Sequence, residues 1–504
     1  MRHRAGMITV LISALAIAAT APQPDARQWV RDALAASGGE AAMRGLTVVR
    51  LHGIEESYGL GYSPDVDHPR MLLNAFDDLR DVGALRERRT YQQAAASNND
   101  PLGVTFVMPD SVGAIGFSSR NSGALFAAPD FYVRAARERL RQGVERLLVS
   151  LLDAPDLKAE ADTVIQGVAQ HVVSSQGGTT RVYLSAVTHL PTLVDTFGED
   201  DNDPDWTQWG DVHTRTWYSS WSRESGGIHY PRTWTTERNG MPINRVSIFR
   251  VDLHPAAPAD SFAIPDSVRA KFVAVTPMVL GNGRGQPIEL ADGVTWVVGR
   301  WATMLVRQPS GIVVIDSPYA TAYSAVVLQE VSRRYPGVPV QSLVVTDFMW
   351  AHFGGVREYV ARGIPVYANA RNEAILRAVT SARHVSHPDS LSTSGRHLMF
   401  RPVAAKVAIG DGPNRVELYP VDVAGADYGR RIVVAYLPNR RILWVSDLYS
   451  PGGEVNFAAQ GEGELASVIA QNGLAVDTIV GSHLPPTAWK TVSDEINAKI
   501  AAAQ

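Results

Sequence analysis

VVTDFMWAHFGGVREYVARG, residues Val344–Gly363, is the stretch on which the reading of this chain turns. Its first residues close an apolar strand, Gln341–Val345. A short segment with acidic, aromatic and imidazole side chains follows, and Phe353-Gly354-Gly355 opens a helix over Val356–Arg362. The same strand-then-helix texture extends to both sides. Upstream, Val294–Val298, Met304–Val306 and the fully apolar GIVVI (Gly311–Ile315) predict strands, the last ending on Asp316, with a helix over Ala325–Arg334. Downstream, Arg431–Tyr436 and Ile442–Val445 predict strands, the second running into Asp447. Ile479–Val480 precedes Ser482-His483 and a C-terminal helix. Polar residues at strand ends are where α/β folds gather their sites, and four such ends stand out: Asp316, Thr346–His352, Asp447 and His483.

Before about Glu289 the texture changes. Arg27–Ala36 predicts a helix stopped by Gly38-Gly39. Val104–Val107, Arg181–Leu184, Val212–Ser219 and Ile243–Val251 predict strands, most of them with period-two alternation. Asn239-Gly240 predicts a hairpin turn, and Phe131–Leu152 one amphipathic helix with an arginine stripe, read as a solvated face. Five of the eleven tryptophans fall between Trp206 and Trp234. They either fill a curved sheet or line a cavity for an apolar ligand. The run Glu199–Asp205 is oxygen-rich but lacks the loop glycine and distal Glu of an EF-hand. Gly281–Gly285 (GNGRG) reads as loop, and His384 and His387 as members of a solvated Ser/Pro-rich loop.

The chain has 504 residues, no cysteine, 13 His and a net charge of -4. Without cysteine there is no disulfide framework, thiolate metal site or cysteine nucleophile, so a transition-metal site must use His and carboxylates. The charge balance gives no argument for nucleic acid or an anionic membrane surface. Arg2, His3 and Arg4 followed by the apolar Met7–Ala19 predict a cleavable export signal over residues 1–21, hence a periplasmic or secreted protein with no stable membrane insertion.

Over roughly Glu289–Gln504 the chain resembles the metallo-β-lactamase superfamily. Val344–Gly363 matches that family's T-H-x-H-x-D-H-x-G-G strand, loop and helix. YLPNRRILWVSDLY (Tyr436–Tyr449) matches its late strand pair ending in a bridging Asp, and Gly481–His483 its terminal ligand His. The resemblance implies an αβ/βα sandwich and a hydrolase in which a zinc pair, or a related metal pair, polarises the substrate and lowers the pKa of a bound water. Lactams, lactones and phospho- or sulfo-esters are all substrates within that superfamily.

The ligand set departs from the family's pattern. Asp347 and Met349 replace its first two His, Ala351 its Asp, and Tyr428 (or, one residue shifted, Asp427) its third His. His352, Asp447 and His483 are kept. One reading is a two-His-one-carboxylate set of His352, Asp447 and His483 holding one zinc or similar divalent ion, with Asp347 and Asp447 as the catalytic carboxylates. The other is an inactive centre whose survivors are hydrogen-bonded relics. Neither leaves room for a metal pair, and whether the chain is an enzyme stays open. Asp316 reads as a carboxylate that orients its neighbours, and Trp350 as a cleft or packing residue.

The first segment loosely resembles LolA-like lipoprotein-carrier domains, through the helix ending at Gly38-Gly39, Thr188–Phe197, Gly226–Trp234 and Phe262–Pro265. The expectation is an α+β chain of two domains: an N-terminal curved antiparallel half-barrel with helices (22–272), a linker (273–288) and a metallo-β-lactamase-type sandwich (289–504). It is either a degenerate hydrolase or a non-catalytic binding or carrier protein that holds a small, apolar ligand on the aromatic N-terminal sheet.

Overall fold

The computed structural model describes residues 25–59, 71–94, 102–118, 123–198, 206–273, 286–299, 301–423, 430–449 and 458–503. The export signal, the acidic run Glu199–Asp205, the GNGRG loop and the Asp427/Tyr428 position lie outside these residues.

Two antiparallel meanders build the first sheet. One runs from Val48–Tyr58 through Met71–Asp81, Arg86–Ala94 and Leu102–Met108 to Phe126–Ala127; the other runs from Lys158–Ala159 to Met241–Leu253. They join because Val48–Tyr58 pairs with Met241–Leu253, Val49 opposite Leu253 and Ser57 opposite Asn244, which gives one sheet of 14 strands. The Asn239-Gly240 hairpin forms as its sequence predicts. Arg238 faces Met241 across it, and φ of 49° at Asn239 and 80° at Gly240 is the mirror-image turn that matches strand twist.

The single helix expected over Phe131–Leu152 is two, Asp130–Gln142 and Val144–Asp153. Gly143 breaks it by taking ψ 148°. A side chain there would sit 2.9 Å from the Arg139 carbonyl. Arg134 pairs with Asp130 and Arg139 with Glu87, so the arginine stripe is partly committed to ion pairs. Val30, Leu34, Leu147 and Leu148 from the helices share one core with Leu51, Val173, Val182 and Val246 from both meanders.

The remaining strands form a seven-stranded and a six-stranded sheet. Ile288–Ala291 to Gly311–Ile315 are antiparallel, and Gly311–Ile315, Val340–Val344, Val366–Asn369 and Phe400–Val403 are parallel neighbours. Alternation along the strands sets the layers. Val313 and Ile315 pack against Val433, Ala435 and Trp444 of the other sheet, in a core between the two sheets. Ile312 and Val314 face the other way, onto Val327, Val331 and Tyr359 of helices Thr321–Arg334 and Val356–Ala361. Ile432, Val434 and Tyr436 likewise face Leu465, Val468 and Ile496 of the last two helices. Helix, sheet, sheet, helix is the layer order that the superfamily resemblance of the second half implies.

Four of the five tryptophans of this segment pack against a core. Trp206 and Trp209 are buried in the core of the second half's helical layer, and Trp221 and Trp234 pack against the helix core of the first sheet. Gly210 at φ 76° allows the backbone contact there: a side chain would lie 2.0 Å from the Arg383 carbonyl. Asp211 then clamps the adjoining loop, its carboxylate accepting from the N–H groups of Val385 and Ser386 at 2.8 Å each. That loop is less solvated than its composition suggests, for His384 is buried beneath this contact while His387 is exposed. Among the described residues no helix is long and apolar enough to cross a membrane.

Candidate metal centre

The four polar strand ends converge. Asp316 follows Ile315 with φ 66°, a left-handed conformation that is uncommon away from glycine. Its fully buried carboxylate holds it there. Oδ1 accepts from the Thr346 N–H at 2.8 Å, and Oδ2 from Thr346 Oγ1 at 2.8 Å and Ser482 Oγ at 3.3 Å. Thr346 Oγ1 also lies 2.8 Å from Ser446 Oγ. One carboxylate thereby ties together the ends of three strands.

His352 enters this network from the helical turn Trp350–Phe353. The two glycines after it permit close packing. A side chain at Gly355 would fall 1.9 Å from Ser324 Oγ, so helix Thr321–Arg334 rests directly on the turn. His352 Nδ1 donates to Asp316 Oδ2 at 2.8 Å. Its other nitrogen, Nε2, lies 3.3 Å from Asp447 Oδ2, out of line for a hydrogen bond.

Asp347, His352 and Asp447 form the metal-capable cluster of the described residues, with ligand atoms all within 4.8 Å of one another. All three are buried. His483 stands beside this cluster rather than within it: its Nε2 is 3.7 Å from Asp447 Oδ1, and its ring is partly exposed. The carboxylate expected to assist, Asp347, is thus among the three clustered ligands, and the expected ligand His483 is at the rim.

The donor set could hold a divalent ion. Two ligands at about 2.1 Å in a tetrahedral arrangement sit about 3.4 Å apart, close to the 3.3 Å between Nε2 and Oδ2. A carboxylate on the far nitrogen is also how metal-binding histidines are oriented. A proton competes for the same place. Burial works against charging His352, but Asp316 and Asp447 outweigh it and hold the imidazole protonated well above histidine's ordinary range. A cation at Nε2 must displace that proton, so its affinity rises with pH.

Trp301, Tyr319 and Trp350 wall the cluster on the His483 side. Trp301 meets Trp350 edge-on at 4.5 Å, and lies 5.5 Å from Tyr319 and 6.1 Å from His483. Tyr319, like Asp316 and Ser446, has positive φ. Such strain gathers at functional sites. Sequence reading did not single out Trp301, Tyr319, Ser446 or the Ser482 hydroxyl. Ser482 was visible within the quoted GSH, and Thr346 within VVTD, but hydroxyls at strand ends carry no spacing signal of their own.

No protein-family model matches the chain. Among solved structures it is similar to VMB-1 at pH 5.5 (16% identity, 45% of this chain and 100% of that one, TM-score 0.34). It is also similar to a metallo-β-lactamase from Pontibacter korlensis (19% identity, 42% and 96% covered, TM-score 0.33). A third is the stereoselective inverting sec-alkylsulfatase Pisa1 from Pseudomonas sp. (18% identity, 42% and 40% covered, TM-score 0.31).

Proposed function

We propose that this chain is a metallo-β-lactamase-fold hydrolase relative whose two-metal centre has been reduced to one divalent-cation site, held by Asp347, His352 and Asp447. The observation that carries this reading is the Asp316–His352 pair, in which a carboxylate occupies Nδ1 and Nε2 is left facing Asp447. A zinc or similar ion in such a site supplies Lewis acidity and lowers the pKa of water. The protein's own part is orientation. Asp316 fixes the imidazole, Asp447 spans His352 and His483, and the aromatic wall excludes solvent from one side. Both expected catalytic carboxylates, Asp347 and Asp447, belong to this centre, and His483, at the rim, is placed to meet a substrate. We read the chain as exported, with domains at 22–272 and 289–504 and the first sheet curved into a half-barrel around its helices.

The test is metal content. Purified full-length chain dialysed against zinc and then against buffer at pH 8 is expected to retain one ion, and Asp447→Asn none. A lactone, lactam and ester panel on the loaded protein then reads activity. Retention of two ions per chain by the wild type, or equal retention by Asp447→Asn, would overturn the assignment.

A second reading, a binding protein, is favoured by one observation. A cavity of about 330 Å³ opens on the first sheet, within the range of small-molecule sites. It lies against the first meander, away from the tryptophan-rich strands on which the sequence placed such a ligand.

A further inference from the structure

The face of the first meander that turns toward the helices carries polar as well as apolar side chains. Cross-strand pairing puts Asp78, Arg89, Phe106 and Ile115 in one row on that face, and Glu55 and Asn74 in another. The cavity opens here. Val104, Phe106, Ile115 and Phe117 form an apolar wall, and Tyr132 and Ala135 of helix Asp130–Gln142 line it as well.

The charges at the polar end of this cavity are met within the protein. Glu87 is fully buried and receives Arg139 on both oxygens, Nε at 3.1 Å and Nη2 at 2.6 Å. Glu55 takes Arg89 on one oxygen and Asn244 Nδ2 at 3.0 Å on the other. Asp78, opposite Arg89 on the neighbouring strand, accepts from Arg80 Nε at 2.9 Å. A charged head group of either sign would give up its water here without gaining an ion pair. The polar end lacks a hydrogen-bond donor instead. Asn74 lines the cavity and keeps 5% of its surface. Its Nδ2 donates to Ser57 Oγ at 3.0 Å, while its Oδ1 has no hydrogen-bond partner among the described residues. Asn244 Oδ1 and Asp78 Oδ1 are further buried acceptors in the same condition.

We infer that this cavity binds a single-chain amphiphile whose head is an uncharged hydrogen-bond donor, a hydroxyl or a primary amide, the chain on the Val104–Phe106–Ile115–Phe117 wall and the head donating to Asn74 Oδ1. A buried acceptor left unpaired costs free energy that a donor recovers. A site of this kind discriminates against an analogue without the donor, because its own polar group then stays unpaired. A carboxylate or sulfate head brings acceptors to an acceptor, and an ether brings no donor. The inference rests on the binding reading and is independent of the metal centre.

Calorimetry on the full-length chain separates the two. Octanol, octyl methyl ether and sodium octanoate share one chain length and are titrated below their micelle or solubility limits. Octanol is expected to bind one per chain, at least tenfold tighter than either of the others. Asn74→Leu keeps the side-chain volume and removes the unpaired acceptor, so it should fold with an unchanged melting temperature. It is expected to cost octanol at least tenfold and to change the ether less than twofold. Ala135→Trp, at an exposed helix position that lines the cavity, is expected to weaken octanol and the ether alike by at least tenfold. The ether or octanoate binding as tightly as octanol, or octanol unaffected by Asn74→Leu, overturns the donor head and leaves the binding reading standing. If none of the three binds, or if Ala135→Trp leaves them unchanged, both fall.

Discussion

Replacing Asp316 by alanine tests whether the converging strand ends are held by one carboxylate. The substitution removes the acceptor of Thr346 N–H and of His352 Nδ1, each at 2.8 Å in a fully buried site. The Thr346 hydroxyl keeps Ser446 Oγ at 2.8 Å and loses less. An orphaned buried N–H costs about 1–3 kcal/mol, and stripping one partner from a buried ion pair about 3–5 kcal/mol. The second cost is reduced here, because His352 retains Asp447 at 3.3 Å and can release its proton. Alanine at φ 66° adds about 1 kcal/mol of backbone strain. The expected loss is therefore about 4–5 kcal/mol. Asp316→Gly, free of the strain, should lie about 1 kcal/mol above alanine. Asp316→Asn, which keeps one acceptor and tolerates the backbone, should lose about 2 kcal/mol. The assay is urea unfolding of the metal-free full-length chain at pH 6, read as a midpoint shift at constant m-value. Zinc affinity should fall about 10–100-fold in parallel. An alanine variant within about 1 kcal/mol of the wild type would show that Asp316 does not organise the centre.

Other substitutions probe separate links. Gly355→Ala places a methyl group 1.9 Å from Ser324 Oγ and 2.8 Å from the Ala320 carbonyl; it should cost at least about 2 kcal/mol by thermal melting and lower metal retention. Asp211→Ala removes two hydrogen bonds to the 383–387 loop. It should cost about 1–3 kcal/mol and speed proteolytic nicking of that loop, measured by timed digestion. Burial alone would raise the Asp389 carboxyl, but bonds from Arg357 and Ser392 outweigh it and hold it well below the ordinary carboxylate range. A lowered folded-state pKa gives stability that is full above the ordinary carboxylate pKa and is lost as pH falls through the folded value. Acid melts should show wild-type stability declining below about pH 4 and a flatter acid limb in Asp389→Asn.

Much of the second half was legible because its signals are local. Alternation along Gly311–Ile315 and Ile432–Leu437 sends neighbours to opposite cores, and the first of these strands ends at Ile315, before Asp316, as its sequence predicts. The paired glycines after His352 marked a helix start, and the structure gives their second use, room for Ser324. The site's finer geometry was not legible. Whether Asp347 or His483 stands nearer to His352 depends on side-chain directions at the ends of separate strands, and no spacing encodes that. In the first half, sequence placed the strands well, yet the cavity on the first sheet lies against Val104–Phe117 and not against the tryptophans. The aromatic cluster signals buried area, and which side of a sheet remains unfilled is decided by where a helix happens to stop.

The seat of Trp206 and Trp209 in the helical layer of the other half bears on how the molecule comes apart. The rings enter the far side's core, and Gly210 brings main chain against main chain beside them. The grip between the halves thus lies about seventy residues upstream of the segment 273–288 that the sequence marks as a tether. A protease cut within that tether should leave two fragments that still migrate as one particle. Melting the second half would uncover these indoles on the first, and melting the first would empty their seat in the second, so calorimetry should record one shared heat-absorption peak and not two independent ones.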